Sequence, residues 1–257
     1  MIKIKPISAF SDNYIWLLVL GEKAFAVDPG DADPLIAFVN KNNLSLEGAM
    51  ITHHHFDHSG GIEKLLSTFN LKIFGPKGGH IKGITNPLED NEEFDVLGRT
   101  FTAMSVPGHT DDQLAYFSKD QFTQPILFSG DTLFAAGCGR LFEGTPEQMY
   151  SSLTRFSLLP LDTLVYCGHE YTLANLNFAK LVEPSNQDIN KRLDEVRDLR
   201  SKKLVTLPSS IKLELKTNPF MRCNTRSVKN AAEEFFSKQL DNEIAVLGAV
   251  REWKDTI

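Results

Sequence analysis

Thr52-His53-His54-His55-Phe56-Asp57-His58 is the stretch on which the reading of this chain turns. Residues 46–51 (Leu-Glu-Gly-Ala-Met-Ile) read as a short strand feeding it, and Ser59-Gly60-Gly61-Ile62 leads into a helix running to about residue 69. In an extended exit from the strand, side chains alternate faces. His53, His55 and Asp57 then point one way, and His54 and Phe56 the other. His58 follows once the chain has begun to turn, and approaches from a second direction. This arrangement suits two adjacent metals better than one. His54 and Phe56 are expected to pack rather than ligate.

The rest of the chain bounds what such a site can serve. Its 257 residues allow one large domain or a main domain with an appendage, and 42% hydrophobic with 23% charged residues is the make-up of a globular protein with a sizeable core. A formal net charge of -6 argues against sequence-independent nucleic-acid binding, while leaving room for a local basic pocket that takes an anionic small molecule. The longest apolar run, residues 14–20, is too short to span a bilayer. The first residues alternate like a strand and lack a signal-peptide core, so no membrane association and a cytoplasmic location are expected. Cys138, Cys167 and Cys223 are odd in number and form no C-x-x-C pair, so any metal must be held by histidine and carboxylate.

Strands with interspersed helices fill the first 170 residues. Strands are expected at 3–9, 14–20, 24–27, 72–74, 94–97, 100–106, 113–118, 125–128 and 164–167. Asp28-Pro29-Gly30 reads as a turn, and Asp33 as the cap of a helix with Pro34 at its first position. Residues 77–91 and 133–144 read as loops, the second of them exposed, and His80 as a surface residue. Thr145-Pro146-Glu147-Gln148 carries the capping-box pattern of a helix start. From about residue 171 helices take over, around Leu173, Leu176 and Leu181, then from Ser185, then over 227–239 and 241–254, with 206–224 mostly irregular. No flexible linker marks the change. The expected organisation is a domain over 1–170 and a helical domain over 171–257.

Three further candidate ligands each follow an expected strand. His109 stands in Val106-Pro107-Gly108-His109-Thr110, Asp131 in Phe128-Ser129-Gly130-Asp131-Thr132, and His169 in Tyr166-Cys167-Gly168-His169-Glu170. A strand end, a glycine and then a ligand make a rigid platform with an exposed tip. With His53, His55, Asp57 and His58 they supply the nitrogen and oxygen donors for two metals and one bridging group.

The combination resembles the metallo-β-lactamase superfamily, whose T-H-x-H-x-D-H signature is matched by Thr52 to His58. The resemblance implies an α/β (α+β) fold, a four-layered αββα sandwich, with a C-terminal α-helical domain. His53, His55 and His109 would hold one metal, Asp57, His58 and His169 the other, and Asp131 would bridge. Gly137-Cys138-Gly139-Arg140-Leu141-Phe142-Glu143-Gly144-Thr145, Cys167-Gly168-His169-Glu170-Tyr171-Thr172 and Thr217-Asn218-Pro219-Phe220-Met221-Arg222 narrow the resemblance to the glyoxalase II (hydroxyacylglutathione hydrolase) family and extend it over nearly the whole chain. By position, Arg140, Tyr171 and Arg222 would hold the glutathione portion. Phe142 stands where part of the family has tyrosine, and Arg226 is the available candidate for a second C-terminal basic contact.

The chemistry asks for these residue types. Two divalent ions about 3.5 Å apart share a water, lower its pKa towards 7 and present hydroxide to a carbonyl. Asp57 and Asp131 leave enough positive charge to stabilise the oxyanion, and a thiolate departs without a strong acid. Glutathione carries two carboxylates, for which arginines offer charge-assisted donors. The implied reaction is hydrolysis of an S-(2-hydroxyacyl)glutathione, such as the D-lactoyl thioester, to a 2-hydroxy acid and glutathione, the final step of methylglyoxal detoxification. A monomer with two divalent ions is expected, zinc first, although the same donors accept iron and manganese. The alternatives are another superfamily hydrolase, acting on a lactone or β-lactam, and a metal-binding module without catalysis.

Overall fold

The computed structural model describes residues 1–119 and 124–257. Its first sheet is set by one strand whose first six residues are buried. β1 (Lys3–Ala9) and β2 (Asn13–Leu20) form a hairpin in which Ile7 lies opposite Ile15, and β3 (Lys23–Val27) continues the antiparallel run. Asn13 to Leu18 are all buried, so both faces of β2 must be covered. Ile15 and Leu17 join a core with Leu35, Val39, Ile62 and Leu65 on the helix side. The alternate residues Tyr14 and Trp16 face the other way, where Trp16 meets Tyr166 edge-on at 4.9 Å.

Parallel strands need crossovers, and the chain supplies helices for them. α1 (Ala32–Lys41) joins β3 to β4 (Ser45–Met50); α2 (Phe56–Ser59) and α3 (Ile62–Thr68) join β4 to β5 (Lys72–Pro76). β6 (Asn86–Leu88) completes the sheet in the order β1 to β6. Two expectations are corrected here. Asp31, not Asp33, caps α1, accepting from the backbone N–H of Asp33 at 3.0 Å. The segment 77–91 holds β6 instead of loop alone, because Asn86 to Leu88 find a parallel partner in Phe74 to Pro76. The helix expected after Gly60 and Gly61 is α3, and the short α2 precedes it within the histidine motif.

The second sheet comprises β7 (Glu93–Val96), β8 (Arg99–Ser105), β9 (Leu114–Ser118), β10 (Ile126–Gly130), β13 (Leu164–Cys167) and β14 (Ser209–Ser210), in the order β14-β13-β10-β9-β8-β7. An aromatic contact runs between the sheets, Phe74 to Phe94 at 4.7 Å, and Phe94 in turn meets Tyr116 of its own sheet at 5.6 Å. Buried Tyr116 also donates its hydroxyl to the Ile51 carbonyl at 2.5 Å, at the threshold of the histidine motif. β11 (Leu133–Phe134) and β12 (Gly137–Cys138) form a separate two-stranded hairpin. Leu133 to Gly139 are buried, which corrects the first half of the exposed loop expected over 133–144, while Arg140, Phe142 and Glu143 are exposed.

The chain divides into two compact units. One comprises Met1–Ser105, Asp112–Gly130 and Tyr166–His169; the other Val106–Asp111, Asp131–Val165 and Glu170–Ile257. The second carries α4 (Pro146–Ser157), α5 (Thr172–Val182), α6 (Gln187–Ser201), α7 (Ile211–Thr217), a 3-10 turn at Pro219–Met221, α8 (Arg226–Phe236) and α9 (Glu243–Asp255). Thr145 caps α4 in a complete capping box with Gln148. Leu176 and Ala179 of α5 pack on Ile189, Leu193 and Val196 of α6. Most of 206–224 is ordered into β14, α7 and the 3-10 turn, because Ser210 and Asn218 each cap the turn that follows them. No helix among the described residues is long and apolar enough to cross a membrane.

Candidate metal centre

The strand-end platforms are built as the sequence suggests. β4 stops at Met50, and Thr52 leaves it with its backbone N–H on Asp28 Oδ1 at 2.7 Å and its hydroxyl on Asp28 Oδ2 at 2.8 Å. His55 opens α2, so Asp57 and His58 stand on a helical turn instead of the extended exit expected for Asp57. Phe56 projects from that turn and is 72% exposed, 6.5 Å from Phe10, which corrects the expectation that it packs. His54 turns away and pairs with Asp112 at 2.9 Å, as a bystander should. His80 is exposed.

At the end of β10, Gly130 has φ of +51°, and a Cβ there would lie 2.3 Å from the Gln113 amide nitrogen and 2.6 Å from Thr52 Oγ1. Only glycine lets the chain turn so tightly against the motif and deliver Asp131. Gly168 donates to the Gly130 carbonyl at 3.1 Å, fixing the neighbouring platform from which His169 projects.

The histidines are oriented by what their second nitrogen touches. Asp28 Oδ2 takes His58 Nδ1 at 3.0 Å, and Asp12 takes His169 Nδ1 at 2.7 Å. The Arg140 carbonyl takes His109 Nδ1 at 2.9 Å, and Thr52 Oγ1 takes His53 Nδ1 at 3.0 Å. Since Thr52 itself donates to Asp28, that one buried carboxylate governs His53 through the hydroxyl and His58 directly. With Nδ1 so engaged, each of these rings presents Nε2, as a metal-binding histidine does. His58 Nε2 lies 3.3 Å from His169 Nε2, and His53 Nε2 lies 3.1 Å from His55 Nδ1.

Three groups of ligand atoms each fall within 4.8 Å of one another: His53, His55 and His109; His53, His58 and Asp131; Asp57, His58 and His169. Asp57 Oδ2 lies 3.4 Å from both His58 Nε2 and His169 Nε2 and accepts from Asn13 Nδ2 at 2.9 Å. Burial pushes the Asp57 carboxyl up, but its contacts with His169 and His58 and the hydrogen bond from Asn13 outweigh it and hold the group below the usual carboxylate range. His109 Nε2 stands 3.6 Å from Asp131 Oδ2. Imidazoles with fixed tautomers converging on carboxylates form a donor set that fits divalent zinc, iron or manganese.

Carboxylates account for most of what sequence reasoning missed. Asp28 and Asp12 stand in turns and look like turn residues. Asp28, with φ of +51° and buried, is instead the anchor beneath the motif. The signal available was that Asp28 also ends a strand.

Of the expected substrate contacts, Arg140 and Tyr171 are exposed, Arg140 pairing with Asp255 at 3.1 Å and Tyr171 lying against Phe134. Phe142 packs edge-on to His109 at 5.3 Å. Arg222 is committed elsewhere. Its guanidinium makes a two-pronged pair with the buried Glu183 carboxylate at 2.7 and 2.9 Å and also donates to the Leu215 carbonyl. Arg226 is exposed at the start of α8. The basic residues grouped with Arg140 are Arg251 and Lys254 of α9. Arg251 shares Asp255 with Arg140, and Lys254 donates to Asn175. Burial, with Arg251 beside it, lowers the Lys254 ammonium to about 8.

Fold and donor set define a metal-dependent hydrolase of the metallo-β-lactamase superfamily, and residues 10–169 match the family described as "Metallo-beta-lactamase superfamily". Solved structures carry the same fold. ETHE1 from Myxococcus xanthus aligns with a TM-score of 0.66 at 23% identity, covering 100% of this chain and 99% of that one. TTHA1623 in a di-iron-bound form aligns at 0.60 and 24% identity, covering 84% and 99%. Residues 170–257 match "Hydroxyacylglutathione hydrolase C-terminus". A hydroxyacylglutathione hydrolase of Pseudomonas putida is 49% identical over 259 residues, with 100% of both chains covered, and one of Pseudomonas savastanoi pv. phaseolicola is 48% identical over 258, with 99% of both covered. The chain belongs to the hydroxyacylglutathione hydrolase, or glyoxalase II, family.

Proposed function

We propose that this chain hydrolyses S-(2-hydroxyacyl)glutathione thioesters, the D-lactoyl thioester among them, to the 2-hydroxy acid and glutathione. The observation that carries the reading is the junction of two features in one chain: the convergent histidine and aspartate donors, and a C-terminal region that matches this family from residue 170 onward. A lactonase or β-lactamase would need the first feature but not the second.

We assign His53, His55 and His109 to one divalent ion, Asp57, His58 and His169 to a second, and Asp131 to both; the donor chemistry suits zinc first, then iron or manganese. When bound, such a pair supplies Lewis acidity and a water acidic enough to attack at neutral pH. The chain's own residues set the conditions for it. Asp57, its acidity raised by its contacts with His169, His58 and Asn13, is suited to bind as a carboxylate. Asp28, Asp12 and the Arg140 carbonyl hold the rings so that they bind with Nε2 and cannot swing away. The leaving thiolate needs no strong general acid near neutral pH.

For the glutathione portion we assign Arg140 and Tyr171 together with Arg251 and Lys254, cations grouped around Asp255 and suited to a dicarboxylate peptide. Arg222 serves the interior through Glu183. Residues 1–170 would carry the metal ligands, and residues 171–257, joined by Arg140, the glutathione portion of the substrate. Three buried free thiols are in keeping with a reducing, cytoplasmic setting.

The test is loss of thioester absorbance from S-D-lactoylglutathione, run beside a lactone and a β-lactam, with metal analysis of the same sample. Turnover of the thioester alone, with close to two metals per chain, is expected. Preferential turnover of either rival substrate would overturn the assignment.

A further inference from the structure

The hairpin between Asp131 and Arg140 is held in an unusual way. Each strand is two residues long, and its backbone is satisfied by side chains from the C-terminal helices. Asn175 of α5 donates to the Ala135 carbonyl at 3.0 Å. Asn218, at the end of α7, donates to the Gly137 carbonyl at 2.9 Å and the Phe134 carbonyl at 3.3 Å. Arg251 of α9 donates to the Cys138 carbonyl at 2.9 Å. Glu214 of α7 accepts from the Ala136 N–H at 2.7 Å. Ala136 has φ of +56°, a left-handed conformation an alanine rarely adopts unless its surroundings hold it there.

Glu214 and Asn218 form the centre of this clamp. They bond to each other at 2.9 Å, and Ser209 adds a further hydrogen bond to Glu214. Both are buried, and neither reaches solvent or the proposed substrate contacts. The hairpin they grip leads directly into Gly139 and Arg140. A Cβ at Gly139 would lie 2.2 Å from the Asp131 carbonyl and 2.8 Å from His109 Nδ1, so the backbone there is pressed against both proposed ligands. One residue on, the Arg140 carbonyl receives His109 Nδ1.

We propose that Asn218 and Glu214 are positioning residues for the metal centre: by gripping the hairpin they hold the Arg140 carbonyl against His109 Nδ1, and so set the affinity of the metal that His109 binds. The inference rests on the ligand assignment above. It gives the Thr217-Asn218-Pro219 motif a task distinct from substrate contact. Asn218 also caps the 3-10 turn, its Oδ1 accepting from Phe220 N–H at 3.0 Å, and the test must separate the two roles.

Asn218→Ser does so, because a serine oxygen can still cap the turn but is too short to reach the Gly137 carbonyl. Glu214→Gln is the second variant; its amide keeps an oxygen for Ala136 but sets an NH2 among donors, and it stands in if Asn218→Ser does not fold. The zinc-loaded full chain is titrated with a chromophoric chelator in the absence of substrate, and the His109 Nδ1–H proton is followed by NMR. The expected result is a loss of about 10- to 100-fold in affinity for one zinc of the two, with the other unchanged, and a shifted or broadened His109 signal. KM for the thioester at saturating zinc should move less than twofold. Unchanged affinity at both sites, or equal weakening of both in step with a lowered Tm, would overturn the proposal. Because the titration needs no substrate, a chain that binds two zincs yet cleaves no thioester would overturn the proposed function and leave this inference standing.

Discussion

Arg222→Met separates an interior ion pair from a substrate contact. Glu183 and Arg222 are joined by two short hydrogen bonds, with side chains 4% and 20% exposed, and the third guanidinium nitrogen is held by the Leu215 carbonyl. Removing the cation strands a carboxylate that retains the Ser227 hydroxyl at 2.6 Å. Breaking a buried pair costs about 3–5 kcal/mol, and the surviving serine contact puts this case near the lower end. For a chain of this size that corresponds to a fall in Tm of roughly 6–12 °C. Burial raises the Glu183 pKa, but hydrogen bonds from Arg222 and Ser227 outweigh it and hold it below the usual glutamate value. The pair's contribution is therefore present above the unfolded glutamate pKa and lost as pH falls through the depressed folded value. The deficit of the variant should accordingly be largest near neutrality and shrink in acid. Arg222→Met with Glu183→Leu should recover most of the loss, since an apolar pair of similar volume leaves no orphaned charge. Thermal unfolding by circular dichroism reads the first effect, and KM for S-D-lactoylglutathione well below the transition reads the second. A tenfold rise in KM with Tm unmoved would refute the reasoning and return Arg222 to the substrate.

Asp28→Asn replaces an acceptor of three hydrogen bonds with an amide, and metal affinity measured by chelator competition should fall about 10- to 100-fold; wild-type affinity would show that the carboxylate does not govern the rings. Gly139→Ala forces a methyl group into the Asp131 carbonyl and the His109 ring, and should cost about 1–3 kcal/mol together with bound metal, so full occupancy by metal analysis would contradict the close approach. Lys254, lowered to about 8, loses its charge above that pH, so KM for the thioester should rise there. Lys254→Arg, charged throughout, should give a flat profile; a rise that persists in this variant would assign the titration to another group.

The proposed metal ligands could be picked out because they follow strands through a local device, a turn-forming residue and then a donor, that a linear pattern can display. What fixes them was not. Asp28 and Asp12 reach His58 and His169 across 30 and 157 residues of sequence, and a carboxylate in a turn looks the same whether it faces water or an imidazole. Arg222 carries the same limitation: its partner lies 39 residues earlier, and a cation in a motif reads as a ligand contact until the carboxylate beside it is seen. Arg251 and Lys254 were passed over because basic residues on an amphipathic helix ordinarily belong to its solvated face, whereas Arg251 is buried and lies over the Phe220 ring at 5.2 Å. The β11–β12 hairpin has no periodicity and so read as exposed loop. It can be buried because distant side chains, added to its own short strand pairing, satisfy its backbone.

That same hairpin limits how such an enzyme can be recombined. The two family matches abut at residues 169 and 170, which invites treating the C-terminal region as a cassette to be fused behind another catalytic half for a new specificity. The peptide groups from Phe134 to Cys138, however, take their hydrogen bonds from Asn175, Glu214, Asn218 and Arg251, all beyond that seam. A chimera cut at 170 would separate a loop from the side chains that shape it, and would leave polar backbone buried without partners. A viable graft has to carry residues 131–140 with the helices, inherited as one piece despite standing on opposite sides of the family boundary.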